Sequence, residues 1–128
     1  MPIDMEQQIA YWRQGSDEDA EVARNLLQQG RIRHAMFFAH LALEKMLKAH
    51  VAKATHDMPP RIHDLVRLAD LAGVAVSLER REFLARMQQY CLAGRYPDYQ
   101  APVPSQVPAQ NELRETQEML LWLTSQLK

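Results

Sequence analysis

Between residues 3 and 58 the chain carries no proline and only two glycines, Gly15 and Gly30, while apolar side chains recur at three- and four-residue intervals. A stretch that long, with so few breakers and that period, reads as helix rather than strand. The bias continues beyond it. Leu, Ala, Met, Gln, Glu and Arg dominate, β-branched residues are few, and after Pro2 the prolines fall only at 59–60 and 97–108. All of this favours helix. The pattern predicts an all-α chain, an antiparallel up-and-down bundle of four long helices plus one short helix. At 128 residues it fits a single domain, 1–128, large enough to bury a core without disulfide or metal staples.

The first helix is expected from about Asp4 to Gln28, with Met5, Ile9, Trp12, Ala20, Ala23 and Leu27 at helical spacing. Gly15-Ser16 interrupts its pattern, so one bent helix or two short ones with Ser16 as a cap both fit. The second helix is expected from Arg31 to Ala54. Its apolar stripe is Ile32, Ala35, Met36, Ala39, Ala42, Leu43, Met46 and Leu47. A second stripe, about 80° wide, borders it and holds Arg33, Phe37, His40, Glu44 and Lys48. Pro59-Pro60 forces an extended connector. A short helix is expected from His63 to Ala72, stopped by Gly73. A fourth is expected from Ser77 to about Ala93, broken by Gly94. The last is expected from Pro108 to Leu127, with Leu113, Leu120, Leu123 and Leu127 on one side.

The single cysteine, Cys91, has no internal partner, which suits a reducing compartment. The start lacks the basic and apolar regions of a signal peptide, and no apolar run approaches the roughly 20 residues needed to span a bilayer. A cytoplasmic protein with no membrane partner is expected. The net charge of −1 hides an asymmetry. Residues 1–30 carry two basic and six acidic side chains, a balance of −4, whereas residues 31–67 carry seven basic and three acidic, a balance of +4. All five histidines lie in that basic segment. A local anion site and a plain pairing of an acidic helix with a basic one are both consistent with this.

No phosphate loop, dinucleotide fingerprint, nucleophile elbow or paired-cysteine motif is present. His34 and His40, six apart on a helix, point about 120° away from each other and do not share a metal easily, so no metal and no cofactor is expected. Arg33 and His40 lie two turns apart on one face. They could act together on a phosphate, with histidine as acid or base and arginine as charge stabiliser. The plainer reading is a boundary arginine beside a locally bonded histidine. Arg95-Tyr96-Pro97-Asp98 follows the expected break. Arg95 there could aim at a phosphate or at an internal acid such as Glu44, and Tyr96 and Tyr99 could stack on a base or pack on the core.

Three blocks in order resemble the HEPN domain: RHAMFFAHLALEKMLKAHV at 33–51, PPRIHDLVRLA at 59–69 and AGRYPDY at 93–99. Tyr11-Trp12 and ARNLLQQG at 23–30 fit as well, so the resemblance spans about residues 5–126. Within the blocks, Leu43-Glu44-Lys45-Met46-Leu47-Lys48-Ala49, His63-Asp64-Leu65 and Arg95-Tyr96-Pro97 carry it. The resemblance implies a homodimer with a basic cleft for nucleotide or RNA phosphates. Such proteins often accompany a minimal nucleotidyltransferase, sometimes as a toxin–antitoxin pair. On this reading Arg33, Lys45, Lys48, Arg95 and Tyr96 are the phosphate- or nucleotide-binding candidates, and Glu44 and His63 are structural polar groups. The resemblance also implies an alternative, a metal-independent endoribonuclease. Active members carry R-x4-6-H late in the bundle, whereas here no histidine follows His63 and R-x6-H occurs only in the second helix. Arg33, His40, His63 and Arg95 are the catalytic candidates for that case. A purely structural interaction subunit is the third reading.

Overall fold

A computed structural model describes residues 4–95 and 102–127. Among them are five helices: α1 (Met5–Gln28), α2 (Ile32–Thr55), α3 (Leu65–Ala72), α4 (Leu78–Arg95) and α5 (Gln106–Gln126). This is the expected all-α bundle of four long helices and one short one. Tyr96, Pro97, Asp98 and Tyr99 lie outside the described residues, and with them the readings placed on those side chains.

The centre of the bundle is α2, on which α1, α3, α4 and α5 all pack. Its composition explains this. Of its 24 residues 14 are buried, and Ala35, Ala39, Ala42 and Ala49 are wholly so. Small side chains let neighbouring backbones approach, while Met36, Leu43, Met46 and Leu47 fill the space between helices. The core continues through Leu65 and Leu68 of α3, Phe83, Leu84 and Met87 of α4, and Leu113, Leu120 and Leu123 of α5.

The structure decides the alternatives left at Gly15-Ser16 in favour of one helix. α1 runs unbroken, and Ser16 caps nothing: its Oγ donates to the Ala42 carbonyl at 2.7 Å, in a buried bond between α1 and α2. Gly15 is a point of close approach, since a Cβ there would stand 3.0 Å from Lys45 Cδ. Gly94 likewise does not break α4, which continues through it to Arg95. Propensity penalises glycine within a helix by about 1 kcal/mol, which tertiary packing readily overrides. Ser77 and Gly73 act as read, whereas α3 starts at Leu65 rather than His63, with Asp64 as its cap. Asp64 Oδ1 accepts the Arg67 amide at the start of α3, and Ser77 Oγ accepts the Arg80 amide at the start of α4. Gly73 closes α3 with φ +69°. That left-handed conformation makes Gly73→Ala cost about 1–2 kcal/mol although nothing crowds the site. Urea denaturation should show a lower midpoint with an unchanged slope.

Among the described residues no helix is long and apolar enough to cross a membrane.

Candidate phosphate-binding edge of the second helix

The polar stripe of α2 is built into the bundle rather than laid on it. His40 is fully buried, and Glu44 and Lys48 are only 4% and 6% exposed. An ionised pair has no reason to be there on stability grounds alone, because well-packed apolar side chains would serve as well. What makes it tolerable is that Glu44 is saturated with donors. Its Oε2 accepts from Lys48 Nζ at 3.1 Å, and its Oε1 accepts from His63 Nδ1 at 3.0 Å. His63 reaches it from the connector before α3, where Pro59-Pro60 keeps the chain extended and Asp64 begins the next helix.

His40 completes the cluster. Its Nε2 lies 3.2 Å from the His63 carbonyl, an acceptor, so Nε2 carries the hydrogen and donates it. Nδ1 then holds a lone pair, is buried and has no partner, and it faces Glu44 Oε1 at 3.8 Å. This contact is not an ion pair. Burial pushes the His40 pKa down to about 4, against the opposing pull of Glu44 and helped by the positive charge of Arg95, so the ring is neutral near pH 7. His50, further along α2, is also held below the ordinary histidine range by burial. There Nε2 donates to the Leu123 carbonyl of α5 at 2.8 Å.

Two surface features flank the cluster. On the α4 side, Arg95 lies with Cζ 5.6 Å from the Phe37 ring centre, and its Nε donates to Cys91 Sγ at 3.1 Å. Cys91 and His63, with Asp64, Gln88 and Leu92, line a hollow of about 180 Å³. On the α1 side, Lys48 Nζ lies 5.4 Å from the Trp12 ring centre. Phe37, His40, Glu44 and Lys48 share one stripe of α2, so Arg95 and Lys48 adjoin the same edge of the bundle from its two ends.

The candidates therefore divide. His40, Glu44, Lys48, His63 and Arg95 come together. Arg33 is exposed one turn before Phe37. His40 is fully buried and bonded to the His63 carbonyl while Arg33 stands outside, which is the plainer of the two readings of their spacing. Lys45 faces α1 and pairs with Asp19 at 2.8 Å, away from the cluster. Arg95 does not pair with Glu44, whose oxygens are taken by Lys48 and His63. Among the described residues, no carboxylate lies within ion-pair distance of Arg33, Arg61 or Arg95. The sequence reading passed over Arg61, Tyr11 and Trp12 as ligand-facing groups. Only the fold sets them beside Lys48.

The family model for the HEPN domain matches residues 9–126. Two solved structures share the fold. TT1696 from Thermus thermophilus superposes with a TM-score of 0.78 at 23% identity, over 92% of this chain and 97% of that one. The archaeal HEPN homologue ST0689 superposes with a TM-score of 0.73 at 20% identity, over 94% and 98%. A search of curated proteins finds no match.

Proposed function

The chain belongs to the HEPN domain family, and on that footing we propose that it is a binding module whose α2 edge takes the phosphates of RNA or a nucleotide. One observation carries the reading: the bonded His40–Glu44–Lys48–His63 array has exposed arginines around it, Arg33 one turn before Phe37, Arg95 against the Phe37 ring and Arg61 lining the cleft that Lys48 borders. Buried titratable groups held at fixed positions, beside surface cations that meet no carboxylate among the described residues, are an arrangement that suits a site. Phe37 supports the Arg95 guanidinium from below, which suits it to a flat, bidentate phosphate contact. From Phe37 to Lys48 the helix rises about 16 Å. That length favours a short single strand over one mononucleotide.

Titration with short RNAs at several salt concentrations tests this. Arg95→Ala and Arg33→Ala should each weaken binding severalfold, across sequences, and reduce the salt slope by about 1. Lys48→Ala is a poorer probe, because it strands Glu44. Flat titrations with every RNA and nucleotide would end the reading. The family resemblance adds two partners to it, a second copy of the chain and a minimal nucleotidyltransferase protein, with a toxin–antitoxin setting as one form. Sedimentation and co-purification test these.

One observation favours the ribonuclease reading as a second. His63 has a side chain 45% exposed, and Glu44 holds its Nδ1–H, which leaves Nε2 for a substrate. A histidine oriented by a carboxylate in this way can act as general base, with Arg95, bonded to Cys91 of the same hollow, as charge stabiliser. Cleavage in the presence of chelator, lost in His63→Ala, is the result this reading requires.

A further inference from the structure

A cleft of about 390 Å³ opens where the start of α1 meets the connector after α2. It is lined by Gln8, Tyr11, Trp12, Lys48, Met58, Pro59, Pro60 and Arg61. That volume lies within the usual range of small-ligand sites. Its chemistry is unlike the rest of the surface. Tyr11 is 67% exposed, although a tyrosine usually turns its ring inward, and it meets Trp12 edge to face with ring centres 5.3 Å apart. Trp12 in turn is fixed by Lys48 on its ring. The two aromatic rings thus form a corner, and Tyr11 leaves much of its surface open to solvent. The cations Lys48 and Arg61 stand on its border, and among the described residues no carboxylate lines it.

We propose that this cleft is a base-stacking subsite: Tyr11 stacks on a nucleobase whose phosphate lies against Arg61. This deepens the phosphate-binding reading and rests on it. A flat ring satisfies the exposed aromatic face, while the attached phosphate meets the Arg61 guanidinium. An aliphatic ligand meets only the first of these. The subsite sits at the Lys48 end of the α2 edge, so a strand seated there runs toward Arg95.

The experiment uses the full chain carrying Trp122→Phe, which leaves Trp12 as the one fluorescent indole, since the sequence has two tryptophans. A short oligoadenylate and an abasic ribose-phosphate oligomer of the same length are titrated at the same salt. Their equal charge cancels the phosphate contribution. Oligoadenylate should quench Trp12 and bind at least about fivefold more tightly than the abasic oligomer. Tyr11→Ala should erase that preference, and Tyr11→Phe should keep it. Arg61→Ala should weaken both ligands alike. Tyr11 and Arg61 are exposed, so these variants keep the fold. Equal affinity for the two oligomers, untouched by Tyr11→Ala, would overturn the subsite and leave the phosphate reading standing. No binding of either would overturn both. Quenching by a polyproline peptide in place of the oligoadenylate would assign the cleft to peptide instead.

Discussion

Glu44→Ala should destabilise the protein by about 3–5 kcal/mol, the range for removing one partner of a buried charge pair. Lys48, a buried residue, would be left with its ammonium facing no carboxylate. The His63 Nδ1–H would lose its acceptor at the same moment. Since the loss comes mostly from stranded charge, Lys48→Met placed in the same chain should recover much of it. Chemical denaturation of the two single variants and the double variant forms the required cycle. Additive losses would mean that Glu44 and Lys48 are not coupled and that the burial described here is wrong. The cycle also bears on function, because a pair that apolar residues could replace at little cost is retained for some other reason.

The second large effect concerns acid. The folded-state pKa of His40 is lowered from 6.5 to about 4, with burial as the main cause. A group of this kind stabilises the fold fully above its unfolded pKa. Between pH 6.5 and about 4 the unfolded chain binds the proton and the native chain does not, so stability falls as pH falls through that window. The loss from His40 alone is on the order of 3 kcal/mol. His50 adds to it in the same direction. Other groups titrate too, so the comparison is with His40→Gln, which keeps a donor for the His63 carbonyl and has nothing to protonate. The wild-type chain should lose more stability than His40→Gln on acidification. Parallel stability curves for the two proteins would show that His40 titrates normally and is not enclosed as described.

Much of this architecture was legible from the order of residues, for definite reasons. Long amphipathic segments with proline kept to the connectors and helix starts leave few alternatives to a helical bundle, and Gly73 marks the end of the short helix by its chemistry. That helix starts two residues later than expected, after an Asp64 cap that the sequence reading missed. Glycine was the weaker guide. Gly94 suggests a break and Gly15 leaves one helix or two open, yet both lie inside helices; at Gly15 the missing side chain serves close packing against Lys45. At the site, the 100° step placed Phe37, His40, Glu44 and Lys48 on one stripe. What it could not give was depth. Whether a stripe at the border of an apolar face is solvated or enclosed depends on which segment covers it, and here the Pro-Pro connector brings His63 over Glu44. For the same reason Arg33 and His40, aligned on one face, end up on opposite sides of the surface. The corner formed by Tyr11 and Trp12 depends wholly on tertiary contact. Nothing local distinguishes those rings from ordinary core aromatics.

The central claim, that phosphates settle along the α2 edge between Arg95 and the Tyr11 corner, is most directly tested by mapping backbone amide shifts as a short oligoribonucleotide is added at low salt. The account predicts movements concentrated at residues 33–48, 59–63 and 91–95, with Tyr11 and Trp12 joining them. A saturable response confined to the outer faces of α4 and α5, around Leu78 and Leu121, would contradict it.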